Sequence, residues 1–154
     1  MTQVTLRPVL ETDLPTLYEQ QLDPEATAMA AFPSRDHEAF MRHWTRILAD
    51  EQVIIRTVEV DGQIAGSILS WDVLGELEVG YWFGREFWGR GIASAALQEY
   101  IREVTVRPLY AHVAQHNIGS RRVLEKCGFK VIGEDQYTNP AGVGVQEFIL
   151  KLEA

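Results

Sequence analysis

Val4 and Leu6 alternate with Thr5 and Arg7, a two-residue period that predicts a short strand within residues 4–9, ending at Pro8. Helical signals follow. Thr12 or Asp13 can cap a helix running through residues 18–22, and Ser34 or Asp36 can cap a second that carries Phe40, Trp44, Ile47 and Leu48 on one face. Pro24 and Pro33 bracket the connection between them, which reads as a mobile link. Residues 53–60 and 63–71 read as a hairpin turned at Asp61-Gly62, because Asp-Gly readily adopts the positive φ angles of a tight turn. A strand at 77–83 comes after Gly75. Ile92, Ala96, Leu97, Tyr100, Ile101 and Val104 recur at helical spacing and give a helix over 92–104 one buried stripe. Pro108 restarts extended chain, with a strand at 109–114, a helix over 118–127 ended by Gly128, and final strands at 131–133 and 145–152. The order is β, α, α, β, β, β, α, β, α, β, β: an α/β chain with a mixed sheet and helices on its faces.

Composition adds limits. The 154 residues make one domain, 1–154, and 46% hydrophobic with 23% charged residues is an ordinary globular mix. Fourteen basic against 22 acidic residues give a net charge of −8 at pH 7, which disfavours a nucleic-acid partner. Cys127 is the sole cysteine, so neither an intrachain disulfide nor a cysteine-based metal cluster can form; a reducing, cytoplasmic setting fits. The first residues lack an apolar signal core and no run of about 18 apolar residues occurs, so neither export nor a membrane partner is expected.

Candidate chemistry concentrates in Trp88-Gly89-Arg90-Gly91-Ile92-Ala93-Ser94, between a strand and a long helix. The first turn of a helix leaves backbone N–H groups without intrahelical partners, and glycines let a phosphate come close to them. Two phosphate loops are excluded. A triphosphate loop needs Lys and a hydroxyl residue where Arg90 and Gly91 stand, and a dinucleotide fold needs its glycines after the first strand with a third Gly where Ser94 stands. An isolated Gly-x-Gly can also be no more than a tight turn.

A second motif, Asn117-Ile118-Gly119-Ser120-Arg121-Arg122-Val123-Leu124-Glu125-Lys126-Cys127-Gly128-Phe129, decides between these. With both motifs and this order of elements the chain resembles the GCN5-related N-acetyltransferase (GNAT) family over nearly all its length, most of all the branch of the ribosomal-protein N-terminal acetyltransferases. The resemblance implies a GNAT-like acyl-CoA N-acyltransferase fold: an about seven-stranded, mostly antiparallel mixed sheet flanked by about four helices. It implies acetyl-CoA as cofactor and an amine acceptor, either a peptide or protein N-terminus or a small amine such as a polyamine, amino acid or antibiotic; a homodimer is compatible with it. By the same resemblance the backbone of Trp88, Gly89, Arg90, Gly91, Ile92, Ala93 and Ser94 holds the pyrophosphate. The strand Val79-Gly80-Tyr81 pairs with the pantetheine arm and gives an N–H to the thioester oxygen, while Asn117, Ser120 and Arg121 complete the cofactor site. A non-catalytic acyl-CoA sensor is the reading from a different class.

Arg85, Arg90, Arg121 and Arg122 lie close in sequence to two helix starts and suit coenzyme A phosphates, or are solvated surface charges. Asn117 also suits a plain N-cap. Acetyl transfer needs a base for the amine and a proton for the departing thiolate. Glu78 is the candidate base, since it alternates to the face opposite Leu77 and Val79; a register slip would put Glu76 in its place. Many family members place a Tyr where Leu124 stands, so Ser120, Tyr137 or a water is left to protonate the thiolate. Cys127 reads as a small buried filler, and His112 and His116 as surface or capping groups. His37 and His43, six apart on one helix, cannot share a metal, and no metal site is expected. The family resemblance further implies that residues 22–50 and the last hairpin shape the acceptor site, with Phe32, Phe40, Trp44, Trp71, Trp82, Tyr137 and Phe148 as lining unless they are core. Glu134 and Asp135 would suit a cationic amine there.

Overall fold

Asp61 and Gly62 adopt φ angles of 51° and 82°, the pair of positive values a two-residue hairpin turn needs, and join β2 (Ile54–Val60) to β3 (Gln63–Val73). A computed structural model describes residues 3–154. Within it β1 (Val4–Arg7), β4 (Glu76–Phe83), β5 (Leu109–Ala114), β6 (Lys130–Thr138) and β7 (Gly144–Leu152) complete a seven-stranded mixed sheet in the order β1-β2-β3-β4-β5-β7-β6. Its ladders are antiparallel except between β4 and β5, which run parallel and pair at Leu77 with Leu109 and at Glu78 with Tyr110. Beyond Glu78 these two strands part, leaving a fork in the middle of the sheet.

Five helices flank the sheet, one more than expected: α1 (Leu14–Gln21), α2 (Pro24–Ala30), α3 (His37–Ala49), α4 (Ile92–Glu103) and α5 (Ile118–Lys126). The extra one is α2, where a mobile link was expected. Pro24 occupies its first turn, where a missing N–H costs nothing, and Asp23 caps it by accepting from Glu25 N at 3.1 Å. Asp36 caps α3 through Ala39 N, but Asp13 does not cap α1. Asp13 instead accepts from Leu10 N, from Thr57 Oγ1 and from two nitrogens of Arg7, each at 2.8 Å, tying β1, β2 and α1 together. The last hairpin is longer than expected, since β6 runs on through Glu134, Asp135 and Gln136 to Thr138. Those polar residues suggest a turn, yet their ladder to β7 continues past an irregularity between Val131 and Gly133.

The main core lies between the sheet and α4 with α5, around Tyr100, Leu97, Ile68, Leu124 and Phe129. A smaller core holds α1 and α3 against the other face through Leu14, Leu17, Phe40, Trp44 and Ile55. No helix among the described residues is long and apolar enough to cross a membrane.

Asp13 is 2% exposed, and the Arg7 hydrogen bonds hold its carboxyl down at about 2 from 3.8. A depressed carboxylate contributes full stability above its unfolded value and loses it as pH falls through its folded value. Asp13→Ala should therefore cost about 3 kcal/mol in urea unfolding at pH 7. The difference from wild type should shrink as pH is lowered from 4 towards 2.

Candidate active site

The starts of α4 and α5 open onto one cavity of about 390 Å³, walled on its strand side by Tyr81 and Phe83. Helix α4 begins at Gly91 without a side-chain cap, unlike α2, α3 and α5. Ile92, Ala93 and Ser94 of its first turn line the cavity, so its orphan N–H groups and the positive end of its dipole lie at the cavity wall. Gly89 and Gly91 hold φ at 72° and 75°, and a Cβ on either would meet nothing within 4 Å. The space beside the turn is open to a ligand. The edge of β4 that faces β5 has no ladder partner past Glu78, leaving backbone groups for an extended chain carrying amides. A long ligand with phosphates at one end and amides along its arm fits both features.

Asn117 is the N-cap of α5, accepting from Ser120 N at 3.2 Å, and it also lines this cavity. The Tyr81 hydroxyl lies 2.8 Å from Ser120 Oγ and 3.3 Å from Ser120 O. Burial pushes the Tyr81 phenol up to about 12, so it keeps its proton at any working pH. Only the backbone of Tyr81 was expected to matter. Its side chain brings a phenol to α5 from the opposite strand, while Leu124 on that helix is buried in the main core. Trp88 lines the cavity and donates from Nε1 to Phe83 O at 3.1 Å.

The four candidate arginines divide into pairs. Arg85 is paired to Asp23 at 3.2 Å and Glu25 at 2.7 Å, and Arg121 lies 4.6 Å over the Phe148 ring beside Glu125 at 3.3 Å. Arg90, packed 5.7 Å over Phe87, and Arg122 are exposed. Cys127 is half-buried against Ser94 O at 3.6 Å and its thiol is pushed up by burial, as a filler between helices should be.

Glu78 sits where the fork opens, although it lines neither this cavity nor the one between β3, β4, α1 and α3. Its Oε1 is 3.7 Å from His112 Nε2, and His112 Nδ1 lies 3.3 Å from Glu147 and 3.8 Å from Asp135. His112 is thus exposed, as expected of a surface group, but it caps no helix and stands among three carboxylates. Burial pushes the Glu78 carboxyl up, with His112 opposing, while the hydrogen bond to Glu147 pushes His112 up. The parallel register explains the meeting: Tyr110 pairs with Glu78, so His112, two residues on, shares its face. His116 does act as a cap, its Nε2 lying 2.9 Å from Ala28 O near the end of α2. Tyr137 shares the face of Asp135 and Glu147 but lies three strands from β4, about 14 Å, and lines neither cavity.

A second cavity, about 630 Å³, lies between β3, β4, α1 and α3. Five of the expected aromatics line it, Phe32, Phe40, Trp44, Trp71 and Trp82, whereas Tyr137 and Phe148 do not. Gly80 lets the Trp71 indole cross the strand, since a Cβ there would stand 3.0 Å from the ring. Tyr81 and Trp82 line both cavities. Arg35, His43 and Arg46 also line the second, a basic group that no spacing in the sequence announces.

The profile of the acetyltransferase (GNAT) domain matches residues 3–130. The chain belongs to the GNAT family. Over 99 residues it is 32% identical to the Bacillus subtilis (strain 168) "Putative ribosomal N-acetyltransferase YdaF", a match covering 60% of this chain. The chain spans about half, 54%, of that curated relative. A GNAT acetyltransferase from Bacillus anthracis shares the fold with a TM-score of 0.82 at 19% identity, over 97% of this chain and 94% of that one. The Vibrio cholerae spermidine N-acetyltransferase, solved with CoA and spermine, does so with 0.83 at 17%, over 98% and 95%. The aminoglycoside acetyltransferase AAC(6')-Ib, solved with coenzyme A, gives 0.77 at 19%, over 96% and 94%.

His43 and His112 of this GNAT protein should titrate apart. His112 should show a midpoint above 6.5 by NMR, and Glu147→Gln should lower it. His43, held neutral by burial and by Arg35 and Arg46, should stay uncharged down to about 4.

Proposed function

We propose that the protein transfers the acetyl group of acetyl-CoA to a primary amine by direct attack in a ternary complex. The fork carries this reading: an uncapped helix start and a free strand edge share one cavity, and that cavity shares Tyr81 and Trp82 with a second one. The CoA-bound aminoglycoside and spermidine enzymes of the same fold support it.

Acetyl-CoA supplies an acetyl group activated as a thioester. The first turn of α4, with Trp88 to Ser94, holds the diphosphate, and of the four candidate arginines Arg90 and Arg122, which form no ion pair among the described residues, add to it. Asn117 and the edge at Val79 to Tyr81 align the amide-bearing arm, and a strand N–H polarises the carbonyl. Glu78, directly or through a water, takes the proton that the amine nitrogen loses as its bond to the acetyl carbon forms. His112 and Glu147 pass that charge outward. As the carbon–sulfur bond breaks, the Tyr81 hydroxyl, coupled to Ser120, gives its proton to the sulfur and is reprotonated afterwards. Tyr137 is too far along the sheet for that role. The acceptor named for the Bacillus subtilis relative is ribosomal; the small-amine enzymes of the same fold mark the other class.

Calorimetry with acetyl-CoA and thiol release over an amine panel test this. Binding with release is expected; binding without release for any amine would make the domain a sensor, and absence of binding would refute both. Glu78→Gln should lower the rate at neutral pH about 100-fold with acetyl-CoA affinity intact. Because the base works ionised, the wild-type rate should rise with pH through the raised Glu78 value, and the variant should lose that limb.

A further inference from the structure

The second cavity is lined by Arg35 and Arg46 and by two carboxylates, Asp50 and Asp72, so it is locally neutral in a chain that as a whole carries −8. Arg35 stands between α2 and α3 with its backbone clamped from both sides. Its N donates to Gln21 Oε1 at 2.6 Å, and Gln21 Nε2 donates to its carbonyl at 2.9 Å. The guanidinium packs 5.6 Å from the centre of the Phe32 ring. Its charged neighbour is another cation: burial first, and then Arg46, push the Arg35 pKa down, and no carboxylate offsets them. Arg46 donates to His43 Nδ1 at 3.0 Å. A guanidinium cannot accept, so Nδ1 is the acceptor and His43 is neutral with its proton on Nε2. Two carboxylates also line the cavity, Asp50 and Asp72, but both are exposed and accept from backbone N–H groups, of Gln52 at 2.9 Å and Gly75 at 3.0 Å. Arg35 is half-buried beside Phe32 with the like charge of Arg46, itself exposed on the cavity lining, close enough to act on it, an arrangement that a bound anion would relieve.

We infer that the acceptor is a small amine that also carries an anionic group, an α-amino acid with an apolar side chain or a compact analogue. Its carboxylate would lie on Arg35 and Arg46, its apolar part against Phe32, Trp44 and Trp71, and its amine towards Tyr81 and Trp82, where the two cavities meet. A guanidinium pair matches a carboxylate in fork geometry. A polyamine or aminoglycoside would bring further positive charge to the same wall, and a peptide N-terminus has its first carboxyl consumed in an amide. This inference rests on the acetyl-transfer reading, and the experiment separates the two.

Thiol release is measured with acetyl-CoA and apolar α-amino acids, each paired with its methyl ester, alongside spermidine, an aminoglycoside and a tetrapeptide. The acids should exceed their esters by about tenfold or more in kcat/KM, and Arg35→Met or Arg46→Met should raise KM for the acids alone by a similar factor. Arg35→Lys should restore part of the loss, with acetyl-CoA affinity unchanged in all variants by calorimetry. Esters as good as acids, a preference for spermidine, the aminoglycoside or the tetrapeptide, or variants that affect acid and ester alike would overturn the inference while leaving acetyl transfer standing. If acetyl-CoA binds and no amine releases thiol, acetyl transfer fails. Calorimetry of the same acids and esters against the coenzyme A complex then decides, acid-selective binding lost in Arg35→Met supporting an anion site and equal binding refuting it.

Discussion

The parting of β4 from β5 after a two-residue parallel ladder is the constraint on which the site depends. A parallel pair requires a crossover, and here it runs through the glycine turn and α4. That path returns the chain to the sheet with the N-terminus of α4 at the mouth of the fork. The second crossover element, α5, follows β5 and starts at the same mouth. One break in strand pairing thus gathers a free backbone edge, two helix starts and the carboxylate of Glu78, which lies on the last paired rung.

Alternation along β4 divides the chemistry. Tyr81 turns towards α5 and Ser120, while Glu78, Gly80 and Trp82 lie on the other face, with Trp71 crossing at the glycine. The Tyr81 phenol and the Glu78 carboxylate therefore stand on opposite sides of one strand, which in the proposed mechanism keeps the proton donor and the proton acceptor apart. Their environments push both pKa values up through burial, which keeps Tyr81 protonated and makes Glu78 a stronger base. The excess of acid over the whole chain is balanced locally in the second cavity, where Arg35 and Arg46 stand against Asp50 and Asp72.

Local chemistry made much of this legible in the sequence. Asp61-Gly62, the positive φ at Gly89 and Gly91, the cap at Asn117 and the stripe of α4 are short-range effects, and each is where residue type places it. What escaped depends on distant pairing. Pro24 marks the start of a helix as readily as a loop, and the polar run from Glu134 to Gln136 is extended only because β7 pairs with it. His112 meets Glu78 through a parallel register that no local pattern fixes. Tyr81 gains its partner from a helix 39 residues later, and Arg35 is held by Gln21 across the whole of α2.

Hydrogen exchange with and without coenzyme A addresses the fork most directly. The ligand should slow exchange at the β4 amides between residues 79 and 83 and in the first turn of α4, while β6 and β7 stay unchanged. Slowing confined to other segments, or none along residues 79–83 at saturating coenzyme A, would contradict the assignment of the fork as the place where the acyl carrier binds.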